Sequence, residues 1–97
     1  MSAYVIGHIT VTNPEGYAGY TKQVPPTLAA YGGEFVVRGG HATTIEGDMP
    51  HARHVVLRFP DRAAAEAWYN SPEYQNILAI RHANSTGTML IVDGFDG

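Results

Sequence analysis

From Ala3 to Val11 the chain reads AYVIGHITV, with apolar or β-branched residues at nearly every position. A run that is apolar on both alternating faces predicts a strand covered on both sides. The period then changes. Asn13 is placed to cap a helix with Pro14 at its first position, and Tyr17, Tyr20, Val24, Leu28 and Tyr31 fall near one helical face. Pro25 and Pro26 lack the N–H groups an unbroken helix uses, so a kink or restart is expected there, with Gly32 as the stop. EFVVR, Glu34 to Arg38, and HVVLRF, His54 to Phe59, read as the second and third strands. The long connection between them, Gly39 to Arg53, is expected to carry a short ribbon at ATTIEG. Asp61 caps RAAAEAWYN, whose apolar stripe is Ala64, Ala67 and Trp68. Ser71 and Pro72 open a further helix holding Tyr74, Ile77 and Leu78. TMLIVD, Thr88 to Asp93, is the last strand.

This order, βαββαβ, predicts one domain over residues 1–97 of the α+β class. Its plan is ferredoxin-like: a four-stranded antiparallel sheet with helices on one face. If Val5, Gly7, Ile9 and Val11 lie under the helices, alternation sends Tyr4, Ile6, His8 and Thr10 to the other face. The same phase places Glu34, Val36 and Arg38 there from the second strand, and His54, Val56 and Arg58 from the third. Such a face is too apolar for open solvent and too charged for a core. Two sheets packed face to face would form a dimeric α/β barrel with the polar groups in its lumen.

Composition points the same way. A chain of 97 residues buries only about 60 to 65% of its unfolded surface. Its charged fraction of 15% falls below the roughly 25% of a typical soluble domain, so part of the surface is expected to be covered by a second copy. A net charge of -3 gives no attraction for nucleic acid or an anionic membrane surface. The absence of cysteine removes disulfides, thiolate metal ligands and thiol nucleophiles, and fits a cytoplasmic location. The N-terminus has no export-signal pattern, and no apolar run approaches the roughly 18 residues a membrane span needs.

AYVIGHITVTNPEGYAGYTKQVPPTLAAYGGEFVVRGG, EGDMPHARHVVLRFP and WYNSPEYQNILAIRHANS together resemble the DUF1330 family of uncharacterised proteins, placed in the dimeric α/β-barrel superfamily. The resemblance runs over nearly the whole chain. It implies a ferredoxin-like homodimer whose sheets meet, and no particular reaction. On the family pattern, Arg38, Gly39, Gly40, Arg53, the segment Ser71 to Gln75, and Arg81 carry over. Where the family commonly has Glu before the Phe-Pro that ends the third strand, this chain has Arg58.

The candidate chemistry reads two ways at each position. Arg38 with Gly39 and Gly40 offers a guanidinium fork and accessible backbone N–H groups to a planar anion, or a structural ion pair across the dimer. His8 is a general base or a space-filling histidine. Glu34 and Arg58 are expected to meet on adjacent strands, with His8 nearby. Arg38 and His54 are expected to face one cavity, with Tyr4 at its near end. His41, His51 and His54, with Asp48, match no established metal-ligand spacing, so neither a metal nor any other cofactor is expected. GYAGY and RGGH lack the spacing of a phosphate loop. Two functions follow. The first is a homodimeric binding protein for a small molecule, anionic or aromatic, lined by Tyr4, Glu34, Arg38, Gly39, Gly40, His54 and Arg81, at the sheet–sheet interface. The second is a cofactor-independent enzyme, monooxygenase- or isomerase-like, with His8 as base and Arg38 or Arg58 stabilising negative charge.

Overall fold

A computed structural model describes residues 1–95. Strand β1, Ala3–Val11, lies in the interior of a four-stranded antiparallel sheet of order β2-β3-β1-β4, where β2 is Glu34–Arg38, β3 is Arg53–Phe59 and β4 is Ser85–Asp93. Four helices cover one face: α1 Pro14–Thr21, α2 Val24–Ala29, α3 Arg62–Tyr69 and α4 Pro72–Asn84. This is the expected ferredoxin-like α+β plan.

The helix starts follow from local chemistry. The side chains of Asn13, Asp61 and Ser71 accept hydrogen bonds from the backbone N–H groups of Gly16, Ala64 and Tyr74, which a first helical turn would otherwise leave unpaired. The helix beginning at Pro14 stops at Thr21 and restarts at Val24, so the two prolines sit in the opening turn of α2, where missing N–H groups cost nothing. Gly32 follows in the left-handed region at φ 70°.

Alternation along β1 buries Ala3, Val5 and Ile9 beneath the helices. They pack with Leu57, Phe59, Trp68, Tyr74, Ile77 and Leu28 in a single core. Several polar groups inside pair with one another. The Trp68 indole donates to Thr27 Oγ1 at 3.0 Å, Thr27 donates to the Val24 carbonyl at 2.6 Å, and the Tyr20 and Tyr74 hydroxyls meet at 2.7 Å.

Four local expectations are corrected. β3 begins at Arg53, and β4 begins at Ser85 directly after α4, three residues before Thr88. Residues 41–50 form no strand, so ATTIEG is not a ribbon, and all of them are exposed. In α3, Ala65 is buried and Ala67 exposed; the helix is rotated so that Ala65 and Trp68, three residues apart, share the buried face.

Candidate functional site

The decisive local feature lies in β2. Glu34 pairs with Arg58 and Phe35 with Leu57, but Val37 then pairs with Val56 and Arg38 with Val55. One extra residue between Phe35 and Val37 makes a β-bulge, which reverses the side-chain phase beyond it. Arg38 therefore shares the helix-covered face with Val55, and its expected place on the open face opposite His54 is corrected. Its Nη2 donates to the Thr21 carbonyl at the end of α1 at 3.1 Å, and its guanidinium lies 4.4 Å from the centre of the Phe35 ring.

Arg53 enters the same region from β3, two residues before Val55 and on the same face. Its guanidinium sits 5.6 Å from the centre of the Tyr17 ring, and its buried Nε has no hydrogen-bond partner. Gly39 makes room for it. Its φ is 67°, and a Cβ there would collide with the Arg53 guanidinium. Gly40 faces open space. The Arg-Gly-Gly sequence thus has distinct jobs at its first two positions and no steric requirement at the third.

Between the sheet and α1–α2 these residues bound a slot. Val5, Gly7, Ile9, Tyr20, Trp68 and Met89 form its inner wall, and Thr21, Arg38 and Arg53 its polar rim. The enclosed part has a free volume of about 30 Å³. Outside it, a groove of about 510 Å³ runs between Val11, Pro14, Tyr17, Ala18 and the two arginines. No Asp or Glu lines either space. Burial raises the Tyr20 hydroxyl far above the ordinary tyrosine value and raises the Tyr74 hydroxyl as well, favouring the neutral form of both.

The opposite face holds most of the other residues singled out from the sequence. His8 pairs with His54 in the β1–β3 ladder, their Nδ1 atoms 2.9 Å apart. Glu34 accepts a hydrogen bond from Arg58 Nε at 2.7 Å, and Tyr4 lies opposite Arg58 and hydrogen-bonds it. Glu34 is also the main influence raising the Arg58 value. Tyr4 is four residues from His8 along β1, roughly 13 Å at 3.3 Å per residue. His8 is thus not beside the Glu34–Arg58 pair, and Tyr4 lies at the far end of the strand from His54. The sheet itself separates His8 and His54 from Arg38.

The remaining carried-over positions are built into the scaffold. Ser71 caps α4 and donates to the Trp68 carbonyl at 2.7 Å, and Gln75 donates to the Tyr69 carbonyl at 2.7 Å. Arg81 is 6% exposed and lines neither the slot nor the groove. His51 meets Thr10 Oγ1 at 2.8 Å. Among the described residues, no three His, Asp or Glu side chains come together as metal ligands. Gly7, Thr21 and Met89 belong to the slot but did not stand out in the sequence. A glycine on the inward phase of an otherwise β-branched strand was the available signal, because such a glycine often marks a close approach or a space.

The fold and the interlayer slot define a ferredoxin-like α+β domain with a small cavity between its layers. The family model for DUF1330, a domain of unknown function, matches residues 2–95, and the chain belongs to that family. No curated protein matches it. Among solved structures, it is similar to a protein of unknown function from Rhodopseudomonas palustris, with TM-score 0.79 and 16% identity, over 99% of this chain and 84% of that one. It is similar to SnoaB, a cofactor-independent oxygenase from Streptomyces nogalater, with TM-score 0.66 and 15% identity, over 99% and 95% of the two chains. It is also similar to a dimeric ferredoxin-like protein of unknown function from Thermobifida fusca, with TM-score 0.67 and 13% identity, over 97% and 92%. No helix among the described residues is long and apolar enough to cross a membrane.

Proposed function

We propose that this protein binds a small molecule in the slot between its sheet and helices α1 and α2, and that it works as a homodimer joined through the open sheet faces. The observation that carries the binding reading is the pair Arg38 and Arg53 at the mouth of an apolar cavity. Cations at a cavity rim without an acid beside them are groups left for a ligand. This moves the binding site from the sheet–sheet interface to the other side of the sheet. Tyr4, Glu34, His8, His54 and Arg58 then serve the subunit contact. The homodimer reading draws on the Thermobifida neighbour, described as dimeric, and on the open face itself, where Leu90 and Val92 are 45% and 41% exposed beside Ile6 and Val56.

A second reading, a cofactor-independent enzyme, is favoured by the likeness to SnoaB. Its chemistry would fall to the slot, where Arg38 and Arg53 stand ready for negative charge developing on a substrate oxygen. His8 and Arg58 lie outside that space.

A metabolite screen by thermal shift on the wild type and Gly7→Val tests the binding reading. A Cβ at Gly7 meets Met89 Cε at 3.5 Å, an ordinary contact, and the two methyl groups beyond it take up space in the slot that Gly7 lines. Compounds that raise the wild-type midpoint are expected to lose that effect in Gly7→Val. Equal stabilisation of both proteins would place the ligand elsewhere.

A further inference from the structure

We infer that the slot takes a small monocarboxylate with a short apolar tail, a single ring or a branched alkyl group, its carboxylate lying between Arg38 and Arg53. This deepens the slot reading and rests on it.

Charge sets the head group. The chain carries a net charge of -3, yet Arg38 and Arg53 both line the slot and the groove, and no acid lines either. Arg58 pairs with Glu34, and Arg62 with Glu66 and Asp93, whereas Arg81, buried in α4, also has an unpartnered Nε but lines neither the slot nor the groove. Arg38 and Arg53 have ring faces and a backbone carbonyl for neighbours, and the buried Arg53 Nε is still unpartnered. An unpaired buried donor is costly, and the planar fork of a guanidinium fits a planar carboxylate through two parallel hydrogen bonds. A guanidinium fork binds phosphate as well as carboxylate, and a phosphate ester is therefore the competing head group in the test.

The interior sets the tail. Tyr20 and Trp68 present rings to the slot, but the Tyr20 hydroxyl is bonded to Tyr74 and the Trp68 indole to Thr27. Thr21 at the rim already donates to the Ala18 carbonyl. A hydroxyl or amide on the inserted part would find those groups taken, and its desolvation would go uncompensated. Size follows from the volumes. About 30 Å³ inside is the space of roughly two waters, so the head group occupies the outer groove, and a ring enters only where the wall gives way to it. Met89, unbranched and flexible, is the wall able to yield to it.

The test is an NMR titration of the ¹⁵N-labelled wild type with phenylacetate, phenylacetamide and phenyl phosphate, repeated on Arg38→Gln and Arg53→Lys. Phenylacetate is expected to shift the amides of Gly7, Thr21 and Gly39. Its neutral amide is expected to bind at least tenfold more weakly, and Arg38→Gln to weaken phenylacetate by about tenfold or more, as loss of a charged hydrogen bond does. Arg53→Lys keeps the charge but not the fork, and is expected to weaken phenylacetate less than Arg38→Gln does. Phenylacetamide binding as tightly as phenylacetate at the same amides would overturn the carboxylate while leaving the slot standing. Tighter binding of phenyl phosphate would replace the carboxylate with a phosphate ester. Failure of all three probes to move any slot amide would overturn this inference, and the slot reading would then stand or fall on the Gly7→Val screen.

Discussion

Arg38 lies opposite Val55 in the β2–β3 ladder, and its guanidinium reaches across the end of β2 to the last carbonyl of α1, Thr21. The bulge that permits this connects the outer strand of the sheet to the first helix. Because the hydrogen bond is exposed, Arg38→Ala is expected to lower stability by only about 0.5 to 1.5 kcal/mol, measured by urea unfolding, with the dimer intact. A loss of several kcal/mol or dissociation would mean that Arg38 is a structural anchor and no ligand group.

Deleting Val36 tests the bulge. The deletion joins the pairs Phe35–Leu57 and Val37–Val56 into a regular ladder with Arg38 still on the helix side. The shortened protein is expected to fold and to keep contacts between the Arg38 and Phe35 side chains in NOE spectra. Contacts from Arg38 to His54 in the wild type, replaced by contacts to Phe35 in the deletion variant, would show that the strand had never been bulged.

Gly39 and Gly40 separate conformational need from mere proximity in sequence. Gly39→Ala forces a Cβ into the left-handed region and against the Arg53 guanidinium, and is expected to cost about 1 to 3 kcal/mol. Gly40→Ala meets open space and is expected to stay within about 0.5 kcal/mol of wild type. Thermal melts of the two variants side by side decide it, and equal effects would remove the steric account of Gly39.

What was legible in the sequence was whatever is dictated locally. Asn13, Asp61 and Ser71 announce helix starts because capping depends on a few successive residues, and Pro25 and Pro26 announce the restart for the same reason. The order of strands and helices followed from periodicity, and the sheet's two faces followed along β1, where alternation is unbroken. The site was only half legible. Arg38 and Arg53 were both picked out, through a family resemblance in the second case, but EFVVR reads as regular alternation and nothing within it signals a bulge. The face of Arg38 depends on how β2 docks on β3, a long-range pairing. Ser85, Thr86 and Gly87 carry no strand periodicity, yet they open β4, and Gly87 sits against the backbone of His8, where a Cβ would collide with its carbonyl oxygen. The glycine there serves close strand packing.

Alkaline titration probes the buried hydroxyl pair. Burial is the largest influence on both Tyr20 and Tyr74 and raises each. A raised tyrosine value means the fold favours the neutral form. The stabilisation is complete below the unfolded value of 10.0 and is lost as pH climbs above it. Of the six tyrosines, Tyr20 and Tyr74 are expected to ionise only as the protein unfolds, seen as a late step in tyrosinate absorbance. All six ionising reversibly in the folded state would contradict the buried pair.

Assembly is tested on the face the helices leave bare. Ile6, Val56, Leu90 and Val92 share it with the His8–His54 pair, which sits in the central pair of strands. A two-fold contact between two such faces would therefore bring the histidines of both copies near the middle of the interface. Light scattering at micromolar concentration is expected to give twice the chain mass of 10.5 kDa. Leu90→Glu places a charge where the partner would bury it, while in the single chain Leu90 is 45% exposed and outside the helix-covered core. The variant is expected to be a folded monomer with unchanged far-ultraviolet dichroism. If it remains a dimer, the subunits meet elsewhere; if the wild type is itself monomeric at that concentration, the homodimer reading is wrong, and the slot, which lies wholly within one chain, is left to be judged by its own ligand tests.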